Sequence, residues 1–185
     1  MLSESERTCL LQVARHSIES VVSGRPGSEV SIDASILGKT SGAFVTLRID
    51  HELRGCIGYV DPKKPLVDTV HDAAEKAAME DLRFPAVTAD ELAIIAIEIS
   101  VLSPMKSISS IVEIEVGSHG LVVELGTHRG LLLPQVAVEY GWDAAELLKQ
   151  TIRKAGLEPG IIKHRDLRLF IFTAEIFSES RDTTS

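Results

Sequence analysis

The first 24 residues carry a helical pattern. Ser3 and Glu6 have the spacing of a capping box. Apolar or small side chains then recur every three or four residues up to Gly24, a residue type that ends helices. We therefore predict a first helix that ends at Gly24 and places Cys9 on its exposed, polar side. The buried stripe of this helix comprises Leu10, Ala14, Ser17, Ile18 and Val21.

Alternating apolar residues mark several strands. The link Asp50-His51 predicts a β-hairpin, and Gly126 predicts a second hairpin with a type II′ turn. Residues 94–102 are apolar on both faces, which predicts a central strand with Glu98 at least partly buried. The predicted strands are 43–49, 52–60, 94–102, 121–125, 128–133 and 167–177.

Further helices interrupt these strands. An alanine-rich helix is predicted from Pro65 to about Glu80, and a capped helix from Asp143 to Gly156. Short helical pieces are predicted over residues 31–37 and after Pro134. Because the strands form hairpins and do not alternate regularly with helices, the pattern predicts an α+β fold with an antiparallel sheet flanked by helices.

Composition bounds the domain organisation. The 185 residues fit one domain, predicted over 1–178, with a flexible tail over 179–185. Aromatic residues make up only 4% of the chain, so the core must be built from Leu, Ile, Val and Ala.

Charge and cysteine usage narrow the function classes. Nineteen basic and 27 acidic residues give a net charge of −8, which together with the few aromatic rings argues against nucleic-acid binding. No apolar run reaches the roughly 20 residues of a membrane span, and the polar N-terminus is unlike a signal peptide. Two distant cysteines exclude a disulfide framework or metal cluster. We expect a reduced, cytoplasmic protein without a cofactor or bound metal.

The densest candidate for chemistry is the hexapeptide Leu-Arg-Gly-Cys-Ile-Gly at 53–58. Strand geometry puts Arg54, Cys56 and Gly58 on one face. Glycines on both sides of a cysteine indicate open space beside the thiol, and Arg54 is placed to stabilise a thiolate. The alternative is that Cys56 is a small buried apolar residue.

The hexapeptide resembles the signature of the AMMECR domain family, which includes proteins of the AmmeMemoRadiSam system. The resemblance continues, in the same order, over most of the chain. It implies an α+β fold with two unequal lobes and a cleft that the hexapeptide faces. It also implies Memo-like and radical-SAM partner proteins, but it supplies no reaction. The matching blocks include 80–85, 98–104, 129–136 and 154–156.

Other charged residues extend the candidate site. We expect Glu98 to approach Arg54 and line the cleft near Cys56, the alternative being a purely structural ion pair. Two guanidinium groups hold a phosphate or carboxylate well, so Arg83 is expected to join Arg54 in an anion site, the alternative being pairing with nearby acids. The candidate anion-binding residues are Arg54, Gly55, Gly58, Arg83 and Arg129.

Two classes of function remain open. In the first, the chain is an enzyme or enzyme subunit of unknown reaction, with Cys56, Arg54 and Glu98 as catalytic residues. In the second, it is a non-catalytic binding or adaptor module for a small anion, a peptide or a partner protein. The six histidines show no metal-ligand spacing, and the oligomeric state stays open.

Overall fold

The structure is a computed structural model that describes residues 1–25, 30–32, 34–60 and 64–179. Within these residues the chain forms helices and two four-stranded sheets of antiparallel strand pairs, which confirms the predicted α+β class. The chain divides into two compact units. Unit 1 comprises Met1–Leu102 and the segment from Glu175 onwards, and unit 2 comprises Ser103–Ala174. The predicted cleft between lobes stays a prediction.

Unit 1 packs two helices on one sheet. The strand order is β2-β1-β3-β8, so β3 is a central strand, as predicted. The elements of this unit are α1 (Glu4–Ser23), β1 (Ala43–Ile49), β2 (Glu52–Tyr59), α2 (Leu66–Met79), β3 (Ala96–Leu102) and β8 (Ala174–Ser178).

The core of unit 1 follows from strand alternation. Val45 and Leu47 of β1 and Ile99 of β3 are fully buried and pack in one cluster with the apolar faces of both helices. Small alanines such as Ala77 allow α2 to approach the sheet closely. The alternate residues of β1 and β3 therefore point to the opposite face of the sheet.

The predicted helix α1 forms with its predicted ends. The Ser3 hydroxyl accepts the Glu6 N–H at 3.2 Å, the Glu6 carboxylate accepts the Ser3 N–H at 2.8 Å, and Gly24 ends the helix with φ of +65°. The prediction for Cys9 is wrong, because its side chain is 5% exposed. The chain returns along that side of α1, where Cys9 Sγ lies 3.8 Å from the Ser31 carbonyl oxygen.

The loop after α1 contains a turn over residues 34–38 instead of the predicted short helix at 31–37, and Asp33 lies outside the described residues. The Asp50-His51 hairpin is confirmed. Both residues have positive φ, 49° and 69°, which is the signature of a type I′ turn.

A charged ladder attaches β8 to α1. Arg7 Nε donates to Glu175 at 2.9 Å, and Arg15 Nε donates to Glu179 at 2.9 Å. Eight helical residues rise about 12 Å and four strand residues rise about 13 Å, so the two pairs match in spacing. Glu179, the first residue of the predicted tail, is held in this way, and residues 180–185 lie outside the described residues.

Unit 2 packs helix α4 on the second sheet, whose order is β4-β7-β5-β6. Asp143 caps α4 as predicted, accepting the Glu146 N–H at 2.8 Å. Gly126 has φ of +58°, the sign that the first position of a type II′ turn requires. The elements are β4 (Lys106–Ile108), β5 (Gly120–Leu125), β6 (His128–Leu132), α3 (Pro134–Glu139), α4 (Ala144–Lys154) and β7 (Arg168–Phe172).

The single strand predicted over 167–177 is wrong. It is divided into β7 and β8, which belong to different sheets. The break falls at Thr173, whose N–H donates to the Ser103 hydroxyl at 2.9 Å and whose carbonyl accepts the Ser103 N–H at 2.9 Å. This exchange with Ser103 takes Thr173 out of both strands.

Strand β2 lies directly against the backbone of α2, and only glycine fits at the contact. A Cβ atom added to Gly55 would lie 2.3 Å from the Ala77 carbonyl oxygen. We predict that Gly55→Ala lowers the free energy of unfolding by about 3 kcal/mol through overpacking. Gly38→Ala is the matched control, since no atom lies within 4 Å of its added Cβ, and should change the free energy by less than about 1 kcal/mol. Urea denaturation measures both, and equal effects would contradict the close contact.

Candidate functional site

Cys56 begins a row of polar side chains that runs across three strands. Thr46 of β1 pairs with Cys56 of β2 on one side and with Glu98 of β3 on the other. The row lies on the sheet face opposite the helices. The Thr46 hydroxyl donates to Cys56 Sγ at 3.3 Å. Cys56 is half-buried, Thr46 is buried, and the Glu98 side chain is one-quarter exposed.

The backbone of Cys56 is held by two residues that follow α2. Asp81 Oδ2 accepts the Cys56 N–H at 2.9 Å, and Arg83 Nη2 donates to the Cys56 carbonyl at 3.3 Å. Arg83 also binds the Asp81 carboxylate through Nε at 2.9 Å and Nη2 at 2.7 Å. Because β2 is an edge strand, its outward backbone groups would otherwise lack ladder partners. Asp81 and Arg83 satisfy both groups of Cys56.

Burial, with a smaller contribution from neighbouring carboxylates, keeps the Cys56 thiol protonated. Hydrogen bonds from Arg83 hold the pKa of the buried Asp81 carboxyl well below its usual range, so Asp81 is a carboxylate. Burial raises the pKa of the Cys56 thiol, and the charges of Asp81 and Glu98 raise it further. The Thr46 hydrogen bond and the Arg83 charge oppose this rise without reversing it. A thiol rather than a thiolate is therefore the resting form at neutral pH.

The predicted pairing of Arg54 with Glu98 is wrong. Arg54 binds the Glu91 carboxylate, with Nε donating at 2.6 Å and Nη2 at 3.0 Å, and also donates to the Pro85 and Ala86 carbonyls. The nearest basic partner of Glu98 is Arg48, at 4.0 Å.

The physical reason is a β-bulge. Leu47 pairs with Gly55 and the next residue, Arg48, pairs with Leu53, so Arg54 is the extra residue on β2. A bulge interrupts the two-residue alternation from which a shared face for Arg54 and Cys56 was inferred. The guanidinium beside the thiol is that of Arg83.

The two glycines leave no open space, because other atoms occupy the places of their absent side chains. Of the two, only Gly58 lies on the face of the thiol. The Cβ position of Gly55 is occupied by the Ala77 backbone, and that of Gly58 lies 2.4 Å from the Phe44 ring. Both glycines permit close packing, by a helix on one face and by an aromatic ring on the other.

Each arginine of the predicted anion site is paired with an acidic residue. Arg54 binds Glu91, and Arg83 binds Asp81. Arg129 belongs to unit 2, where its Nε lies 3.2 Å from Glu124. The roles of Gly55, Gly58 and the three arginines in anion binding stay predictions.

Thr46, Asp81 and Glu91 belong to the site but were not predicted as site residues from the sequence. Asp81 carried a readable signal, since an acid two residues before Arg83 and directly after a helix is placed to bind it. Thr46 carried none, because its place beside Cys56 depends on strand register.

Other chemistry is limited within the described residues. They contain no group of three or more His, Cys, Asp or Glu side chains suited to a metal ion. None of the helices traced in these residues has the length and apolar content to cross a bilayer. Cys9 and Cys56 are both free cysteines.

The raised pKa of Cys56 is testable by alkylation. In a Cys9→Ala background, the pH midpoint of iodoacetamide reaction should lie above the value of about 8.5 for an unperturbed cysteine. Arg83→Ala removes a charge that lowers the pKa and should raise the midpoint, whereas Glu98→Gln should lower it. Mass spectrometry of the labelled peptide gives the rates. A midpoint below 8.5 in the Cys9→Ala protein would contradict the assignment.

Acid unfolding tests the Arg54–Glu91 pair. Arg54 lowers the pKa of Glu91 to about 2, so the folded protein binds this proton less readily than the unfolded chain. The resulting stabilisation is present above about pH 4.5 and is lost as the pH falls towards 2. The stability difference between wild type and Glu91→Gln should therefore shrink between pH 6 and pH 3 in urea denaturation. Glu52→Gln, an exposed site on β2, is the control, and a constant difference for Glu91→Gln would refute the pairing.

The chain is similar to archaeal proteins over nearly its whole length. The sequence model of the AMMECR1 family matches residues 11–177. A protein of Methanothermobacter thermautotrophicus is 44% identical over 96% of each chain, and protein MJ0810 of Methanocaldococcus jannaschii is 39% identical over 97% of this chain and 92% of the relative. The crystal structure of the uncharacterized protein PH0010 from Pyrococcus horikoshii matches with a TM-score of 0.89 and 38% identity, covering 100% of this chain and 96% of that one. The chain therefore belongs to the AMMECR1 family.

Proposed function

We propose that the Cys56–Thr46–Glu98 row is the reactive surface of an enzyme or enzyme subunit. The observation that carries this proposal is that two neighbouring side chains bind the backbone N–H and carbonyl of Cys56. A buried carboxylate costs free energy unless it is well paired. Asp81 accepts hydrogen bonds from the Cys56 N–H and from the Arg83 guanidinium, which itself donates to the Cys56 carbonyl. Such support of the backbone at one residue indicates that its thiol must be placed accurately.

The row supplies a nucleophile and a base. Transfer of the thiol proton to Glu98 breaks the S–H bond, forms a carboxyl O–H bond and leaves a thiolate. The same step removes the Glu98 charge, which is one of the charges that raise the pKa of Cys56. Adjacent strands are about 4.8 Å apart, so the backbones of Cys56 and Glu98 are separated by about 10 Å with Thr46 between them. A substrate group or water placed between the Cys56 and Glu98 side chains would carry the proton.

The family resemblance favours action in a larger system. We propose Memo-like and radical-SAM proteins as partners, in the cytoplasm, with this chain as the thiol-bearing subunit. In that setting Arg83 stabilises the thiolate once it forms, because its charge favours the ionised thiol.

Reconstitution tests the proposal. The chain is combined with purified Memo-like and radical-SAM proteins of the same organism, and formation of 5′-deoxyadenosine from S-adenosylmethionine is followed with and without it. The chain should stimulate product formation, and Cys56→Ser should lower this stimulation at least tenfold. Cys9→Ser is the matched control and should retain it, because Cys9 lies under the loop beside α1. Full stimulation by Cys56→Ser would refute a reactive role.

Leu82 favours a second candidate, a non-catalytic adaptor. Its side chain is 101% exposed although Asp81 and Arg83 on either side are bound to β2. A fully exposed apolar side chain between two residues that are bound to β2 is available for contact with a partner protein. In this case Leu82→Ser should abolish co-purification with the partners while Cys56→Ser retains it. The opposite result would refute the adaptor role.

A further inference from the structure

Unit 2 carries an exposed apolar patch that the Cys56 site does not use. Its members lie in the turn before β5, at the end of α3 and just after α3. Val138 is 63% exposed and Tyr140 is 67% exposed. We call this surface the aromatic patch; it comprises Val116, Val138, Tyr140 and Trp142.

The patch is structurally ordered. The Tyr140 and Trp142 rings stack with centroids 4.9 Å apart and planes at 18°. The backbone N–H of Trp142 donates to the Ala137 carbonyl at 2.9 Å. The Trp142 side chain packs on the core of unit 2. One face of the Tyr140 ring rests on Trp142. The exposed part of the Tyr140 side chain is therefore mainly the outer face of its ring. Tyr140 is therefore a presented aromatic surface rather than part of the core.

The turn at residues 115–119 completes the patch. His119 Nδ1 accepts the Glu115 N–H at 3.0 Å, which closes this turn. The Cβ position of Gly117 lies 3.2 Å from Val138 Cγ2, so the turn touches the end of α3. Val116, next to Gly117 in this turn, is 38% exposed.

Acidic residues adjoin the members of the patch in the sequence. Glu115 precedes Val116, Glu139 lies between Val138 and Tyr140, and Asp143 follows Trp142. All three are exposed. Asp143 is used to cap α4, whereas Glu115 and Glu139 form no ion pair with a basic residue among the described residues. The patch thus combines apolar area with unneutralised negative charge.

We propose that the aromatic patch docks a basic amphipathic segment of a partner protein, in which arginines or lysines alternate with aliphatic residues. Aliphatic side chains would cover Val116 and Val138. An arginine would stack on the outer face of Tyr140, a favourable cation–π arrangement. Further basic residues would pair with Glu115 and Glu139. The inference is independent of the function proposed for Cys56, because the patch lies wholly in unit 2.

The same charges disfavour other occupants. A second copy of the chain that docked through the same patch would bring Glu115 and Glu139 towards their own equivalents, which repel one another. A nucleic acid would meet the same repulsion, and the net charge of −8 adds to it.

The chain provides its own reporter, since Trp142 is its single tryptophan. The full chain is titrated with a 14-residue peptide that carries arginines and leucines at helical spacing, and with a matched peptide in which glutamates replace the arginines. The basic peptide should produce a saturable change in Trp142 emission, and the acidic peptide should produce none. Calorimetry gives the affinities of the variants. Val138→Ser combined with Tyr140→Ser should weaken binding at least tenfold, as expected for loss of a central apolar contact.

Charge controls separate docking from general attraction. Glu115→Gln with Glu139→Gln should weaken binding about fivefold or more. Glu19→Gln with Glu52→Gln makes the same change of net charge in unit 1 and should leave the affinity unchanged. Circular dichroism verifies that each variant is folded.

Three outcomes would overturn the proposal. The first is equal weakening by both charge pairs, which would indicate nonspecific attraction. The second is binding that survives the Val138–Tyr140 double variant. The third is a dimer in analytical ultracentrifugation that this double variant converts to a monomer, which would assign the patch to a second copy.

Discussion

The close approach of strand β2 to helix α2 is the constraint on which the candidate site depends. Gly55 has no side chain, and the Ala77 carbonyl oxygen occupies the place of its Cβ. This contact brings the C-terminal end of α2 to the level of Cys56. The residue two positions beyond that end, Asp81, then reaches the Cys56 N–H. A larger residue at position 55 would move the helix away and break the contact that orients the thiol.

Electrostatics decides what this arrangement does chemically. Asp81 neutralises Arg83, and Glu91 neutralises Arg54. These two arginines are therefore engaged in ion pairs within the protein. Burial is the largest influence on the pKa of the Cys56 thiol and keeps the thiol protonated. The site therefore contains neither a preformed thiolate nor two arginines without acidic partners. Its chemistry requires a proton acceptor, and Glu98 is the carboxylate in the same cross-strand row.

Local signals predicted most of the secondary structure. The capping residues Ser3 and Asp143 and the hairpin turn at Asp50-His51 act through neighbouring backbone groups, so the sequence alone reveals them. Residues 167–177 show where such signals stop. The strand pattern continues through Thr173, but hydrogen bonds to the distant Ser103 divide it between two sheets. No neighbouring residue encodes that division.

The sequence by itself determined the α+β class, the family resemblance and the choice of residues 53–58 as the candidate site. Only the tertiary structure decided which side chains meet there. A bulge moved Arg54 to Glu91, and the register brought Thr46 beside Cys56 and Glu98 into the same row. The returning loop buried Cys9. The physical reason is the separation along the sequence over which each interaction acts. Capping and turn preferences act over a few residues, whereas register, close packing and ion pairing depend on residues tens of positions apart.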